Sequence, residues 1–167
     1  MFVLVMGVTG CGKSTTGRRL AARLGLAFYD ADDYHSPENR AKMAADIPLT
    51  DADRWPWLAE LAALAAAWEA QGGAVLACSA LKQAYRELLL RNVLEPRVLY
   101  LALSRAEAER RLEARRGRHA IVRDFTRLLD GQYRDLEPPS DEHALSLSAE
   151  SSPADIVEQA AAYVARA

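Results

Sequence analysis

"GVTGCGKS", residues 7–14, follows the apolar run FVLVM (2–6) and leads into a stretch of good helix formers. It fits G-x-x-x-x-G-K-[ST] in the strand–loop–helix context that gives this pattern its meaning. The glycines let backbone amides turn toward phosphate oxygens, and the helix start adds the positive end of its dipole. Lys13 supplies a cation at the outer phosphates, and Ser14 offers a hydroxyl to Mg²⁺. Gly7, Val8, Thr9, Gly10, Cys11, Gly12, Lys13, Ser14 and Thr15 therefore form a candidate nucleotide-phosphate site. Cys11 reads more simply as a small filler than as a redox group.

Outward from this loop the chain alternates strands and helices. Apolar runs of strand length recur at 26–29, 74–78, 98–103 and 144–147. Runs that are continuously apolar suit a parallel sheet covered on both faces. Between them, Trp57, Leu61, Leu64, Ala65 and Trp68 make one helical stripe over 51–70, with Thr50 and Asp53 spaced as a capping box. Ser79 is placed to cap a helix over about 80–91, and "RAEAERRLEARR" is helical by propensity. Ser152 and Pro153 open a last helix with its stripe at Ile156, Val157, Ala160 and Val164. "LEPPSDEH" (136–143) reads as a loop. The order predicts a three-layer α/β fold built on a parallel sheet, as one domain over 1–167.

Composition narrows the function. A net charge of −2 gives no general pull toward nucleic acid or an anionic membrane, and the first apolar run is far too short to span one. Two cysteines cannot staple a chain of 167 residues, which suits a reducing cytoplasm. The strings N-K-x-D and D-x-x-G expected of a GTPase switch are absent. A phosphotransferase is the stronger reading, and a nucleotide-driven binding protein is the alternative.

The third strand ends "LACSALK", without the acidic residue that many P-loop ATPases use to hold Mg²⁺. The nearest carboxylates lie in "YDADDYHSPENRAKM" (29–43), just past the second strand. Ligands of parallel sheets collect outside the carboxyl ends of the strands. That rule gathers Asp30, Asp32, His35 and residues 78–82, with Arg54 one helical turn into the Trp-bearing helix. Lys82 and Arg86, four apart, are expected on one helix face. One or two carboxylates and three cations suit a polyol acceptor that carries its own negative charge. Taken singly, each of these charges also reads as a solvated surface group. Asp33 and Asp51 read as surface or capping residues. A metal cluster of Asp30, Asp32 and His35 is the weakest option, because His is a poor partner for Mg²⁺.

"DADDYHSPENRAKM", "PLTDADRWPWL" and "CSALKQAYRELL", in this order behind "MGVTGCGKS", closely resemble the gluconokinases of the P-loop, nucleoside-monophosphate-kinase-like group. The resemblance covers nearly the whole chain. It implies a five-stranded parallel sheet with helices on both faces, Mg²⁺, ATP-dependent phosphorylation of the 6-hydroxyl of D-gluconate, and often a homodimer. Asp32 then orients the acceptor hydroxyl or accepts its proton. His35, Arg54, Ser79, Lys82 and Arg86 line the sugar-acid side, and Ser14 stands near the metal with Asp30 or Asp32. Related kinases for another sugar acid, a polyol or shikimate are the runner-up, with shikimate disfavoured because "CSALK" is not a glycine run.

Six arginines fall within 105–118. Pairs such as Glu107 with Arg111 account for part of them as a solvated helix. The resemblance implies an Arg-rich lid over about 105–130, with Arg111 and Arg115 at the transferring phosphates. The likeness weakens at "GRHAIVRDF", where the family's Gly-His-Phe is missing its Phe, and His119 is not carried over.

Overall fold

The computed structural model describes residues 1–115 (Arg115 by its backbone alone), 125–140, 142 and 144–166. Five strands form one parallel sheet: β1 (Phe2–Met6), β2 (Ala27–Asp30), β3 (Ala74–Ala77), β4 (Pro96–Ala102) and β5 (Leu145–Ser148). Their spatial order is β2-β3-β1-β4-β5. All five expected strands are present. β1 and β3 are buried along their whole length, whereas β2 and β5 are edge strands and half-exposed.

Helices α1 (Lys13–Leu24), α2 (Pro37–Ala44), α3 (Asp51–Ala70), α4 (Gln83–Leu90), α5 (Arg105–Arg115), α6 (Phe125–Asp135) and α7 (Pro153–Val164) fill the connections and the end. β1 shows why three layers form. Val3 and Val5 join Leu20 of α1 and Ile156, Ala160 and Val164 of α7 in one apolar cluster. Phe2, Leu4 and Met6 point the other way, to Leu58, Leu61 and Trp68 of α3 and Leu89 of α4. Successive side chains of a strand face opposite ways, so an unbroken apolar run feeds two cores.

The capping box of α3 is complete, with the Thr50 hydroxyl accepting from Asp53 N and the Asp53 carboxylate accepting from Thr50 N. Ser152 caps α7 as expected. Ser79 does not cap α4. That helix begins at Gln83, after Lys82 in extended geometry, because Ala80 takes a left-handed φ of 42° and turns the chain before any helix can start. Lys82 is the N-cap of that helix, and its ammonium and the Arg86 guanidinium go to different partners, Asp51 and the carbonyls of Ala80 and Leu81. The loop 136–140 is irregular as read, but α6 was not foreseen: Gly131 interrupts its stripe of Phe125, Leu129 and Tyr133. The segment 116–124, which holds His119, lies outside the described residues.

β1 lies where the strand order changes direction, with β2 and β3 to one side and β4 and β5 to the other. The crevice at such a point is where α/β sheets bind ligands, and the loop leaving β1 is the phosphate loop.

Candidate active site

Gly7 leaves β1 with φ 143°, and a Cβ there would lie 2.7 Å from the Leu101 carbonyl and 2.8 Å from Cys11 Sγ. Only glycine fits this close approach. Lys13 folds back so that Nζ donates to Val8 O at 3.0 Å, which holds the loop around the space its amides face. Val8 and Cys11 are buried, in keeping with Cys11 as filler. The helices after β4 brace the tip of the loop. Thr9 N donates to Gln132 Oε1 at 2.6 Å, and Arg111 donates to Gly10 O at 3.3 Å and Ala149 O at 2.8 Å. Glu107 pairs with the same guanidinium at 2.7 Å, so the helix pair and the loop contact are both real. Arg111 thus reaches the phosphate loop, whereas the Arg115 side chain is outside the described residues.

The acidic stretch stands beside that loop. Ser14 Oγ donates to Asp30 Oδ2 at 2.6 Å, and Asp30 Oδ1 accepts from Asp32 N at 3.2 Å as the cap of a 3₁₀ turn over Ala31–Tyr34. The chain therefore turns so that the Asp30 carboxylate meets Ser14 while Asp32 feels the charge of Lys13. The Asp32 side chain remains 70% accessible, with protein packed around its base. That withdrawal from bulk water raises its carboxyl above the usual range; Asp30 adds to the rise and Lys13 opposes it. With that much of the side chain accessible, the rise is modest.

His35 is buried, stacked on Trp57 at 4.1 Å, with Nε2 3.9 Å from Asp32 Oδ1. Burial first, then the charges of Arg40 and Arg54, lowers its pKa, so the ring is neutral. Its buried Nδ1 has no hydrogen-bond partner among the described residues. Trp57 is itself pinned by donating Nε1–H to Ala31 O at 3.0 Å.

The cations come from two further segments. The loop after β3 is tied to the phosphate loop by Gly7 N donating to Ser79 O at 3.4 Å. Lys82 Nζ meets both oxygens of Asp51, at 2.9 and 3.0 Å. The Tyr85 hydroxyl also donates to Asp51, and Arg54 Nη1 lies 3.7 Å from the same carboxylate and 3.3 Å from that hydroxyl. Asp51 is thus no bland surface group; its carboxylate crosses to α4. Arg86 is buried and donates to Ala80 O and Leu81 O at 3.1 and 2.9 Å, shaping the loop from behind. Asp33 stays exposed, as read.

Mg²⁺ prefers oxygen donors and keeps waters and phosphate oxygens as its other ligands. The Ser14–Asp30 pair suits that preference, and no cluster of three or more His, Cys, Asp or Glu able to hold a metal occurs among the described residues. Sequence reading missed Asp51, Tyr85 and Gln132. Each acts across more than 30 residues, and nothing local to them signals it.

The family model described as shikimate kinase matches residues 9–165. A probable gluconokinase of Mus musculus is 46% identical over 156 residues, covering 83% of each chain. The gluconokinase of Gluconobacter oxydans is 42% identical over 164 residues, covering 95% of this chain and 88% of the other. The chain belongs to the gluconokinases, within the family of that model. The solved gluconokinase of Sinorhizobium meliloti superposes with a TM-score of 0.87 at 37% identity, covering 98% of this chain and 91% of that one. Gluconokinase membership makes the chain a kinase, so the nucleotide-switch alternative gives way to phosphoryl transfer. No described helix is long and apolar enough to cross a membrane.

Proposed function

We propose that this gluconokinase-family chain, as one kinase domain, transfers the γ-phosphoryl group of ATP to the 6-hydroxyl of D-gluconate, releasing ADP and 6-phosphogluconate. One juxtaposition carries the reading. Next to the phosphate loop, Asp32 feels the charge of Lys13 and adjoins neutral His35, and Arg54 and Lys82 stand together at Asp51 beyond it. A phosphate cradle, a carboxylate and a cationic end, in that order, match a donor phosphate, a hydroxyl and an acid group.

In this reading Lys13 offsets charge on the transferring group, and Arg111 and Arg115 approach it from α5. Ser14 and Asp30 would hold Mg²⁺, which when bound draws charge from the phosphate oxygens. Asp32 orients the acceptor hydroxyl and takes its proton as the new O–P bond forms and the bond to ADP breaks. Arg54 and Lys82 meet the acceptor's carboxylate, with Ser79 and Arg86 shaping the loop beside them. Neutral His35 packs behind Asp32, with Nε2 3.9 Å from that carboxylate, and backs the sugar-acid side of the site. The protein acts in the cytoplasm.

ADP release measured with MgATP and a panel of sugar acids, shikimate and nucleoside monophosphates tests this. Gluconate should give ADP and phosphorylated acid in equal amounts. Turnover on shikimate alone would move the assignment to the enzyme for which the matched model is named.

A further inference from the structure

Asp51 opens α3, but it does not cap that helix; Thr50 and Asp53 do. Its carboxylate instead reaches α4, where Lys82 Nζ approaches both oxygens and the Tyr85 hydroxyl fixes one of them. Arg54 stands 3.7 Å away on the same helix as Asp51. The group faces water: 46% of the Asp51 side chain is accessible, against 27% for Lys82 and 26% for Arg54. Two cations thus hold a carboxylate of the chain itself, at a place a dissolved carboxylate can reach.

We infer that Asp51 is a specificity-determining residue that occupies the acceptor's anion subsite, so that an incoming carboxylate must displace it from Lys82 and Arg54. The inference rests on the proposed placement of those two cations on the acceptor side. It has two consequences. Two cations and one carboxylate leave a net single positive charge, which matches a monocarboxylate acceptor. Any small anion pays the same cost of displacing Asp51, so adventitious anions are held off a site that would otherwise collect them. Tyr85 matters because its hydroxyl strengthens Asp51's hold on the subsite and so raises the cost of displacing it.

Asp51→Asn keeps the shape and the contacts with Lys82 and Tyr85 and removes the charge. The KM for gluconate should fall by about 2- to 5-fold, the range of a half-exposed ion pair. Inhibition by sulfate should strengthen, while the KM for gluconamide, which has the hydroxyls without the charge, stays put. Tyr85→Phe should move the gluconate KM in the same direction by less. A rise in the gluconate KM, or equal shifts for gluconate and gluconamide, would overturn the inference and make Asp51 a prop for the cations. The underlying reading fails separately: wild-type protein that turns over gluconamide as well as gluconate has no anion subsite here at all.

Discussion

The phosphate loop and the acceptor wall are neighbours built in opposite ways. The loop is one run of eight residues whose working groups are mostly backbone amides, set by glycine torsions such as the φ of 143° at Gly7. The wall gathers side chains from three distant segments, around 30–35, 51–54 and 79–86. Its members hold one another in ion pairs and hydrogen bonds that phosphate binding does not require. A backbone-built site is fixed by the fold, whereas a side-chain-built site can be retuned one residue at a time. Changes in the loop should therefore abolish turnover, and changes in the wall should redistribute it between rate and affinity.

Lys13→Ala is the largest break. No other cation in the loop replaces it, so turnover should drop by about 10³-fold or more in a protein that still folds. Near-normal turnover would take the loop out of the chemistry. Asp32→Asn comes next and tests the border between the two regions. It should lower kcat by about 10²–10⁴-fold, with a small change in acceptor KM. Because surrounding protein raises the folded-state pKa of Asp32, its ionised form is a burden on the fold at neutral pH, and the burden grows as pH rises through that value. Asp32→Asn should thus melt no lower than wild type at pH 7. The acid limb of kcat/KM, where the raised pKa protonates the base, should disappear with it. If only the ATP KM rose, Asp32 would belong with Ser14 and Asp30 at the metal.

The same contrast explains what the sequence made legible. Strands feeding two cores must be apolar at every position, so FVLVM and AVLA announced a parallel sheet with layers on both sides. The loop was legible because its chemistry is contiguous. Asp32, Arg54 and Lys82 were legible only as a group at the carboxyl end of the sheet and through likeness to a family. Asp51 was not, since an Asp beside a capping box looks like more capping. Arg86 looked like a free cation, yet burial and two loop carbonyls claim one arm of its guanidinium. The cap misplaced at Ser79 came from the left-handed Ala80, and a non-glycine residue gives no local warning of that torsion.

Arg86→Lys is a smaller effect confined to the wall. Both loop carbonyls accept from the same Nη1, which the rigid guanidinium plane holds in position and a shorter, freely rotating ammonium does not. The acceptor KM should rise about tenfold, roughly 1.4 kcal/mol, while the KM for ATP stays close to wild type. Equal rises in both would mean that the loop after β3 transmits strain to the phosphate loop through the Gly7–Ser79 contact.

The smallest effect comes from Thr50→Ala, which removes the hydroxyl that receives Asp53 N at the start of α3. Loss of such a cap costs about 1 kcal/mol, or a melting shift of roughly 2–4 °C in a chain of this size. Acid sharpens the test. The Lys42 ammonium, then the Thr50 amide and hydroxyl, hold the Asp53 carboxyl down at about 2 against an ordinary 3.8. A carboxyl depressed on folding stabilises above its unfolded value and loses that contribution as pH falls toward its folded one, here between 3.8 and about 2. Removing one of its hydrogen-bond partners should make that loss shallower, read as a smaller difference in melting temperature between pH 5 and pH 3. Lys42 remains, so part of the slope must survive. Because α3 also carries Asp51 and Arg54, fraying of its first turn should move the acceptor KM slightly and leave the ATP KM alone. A Thr50→Ala protein with a changed ATP KM would show that the two regions are not independent after all.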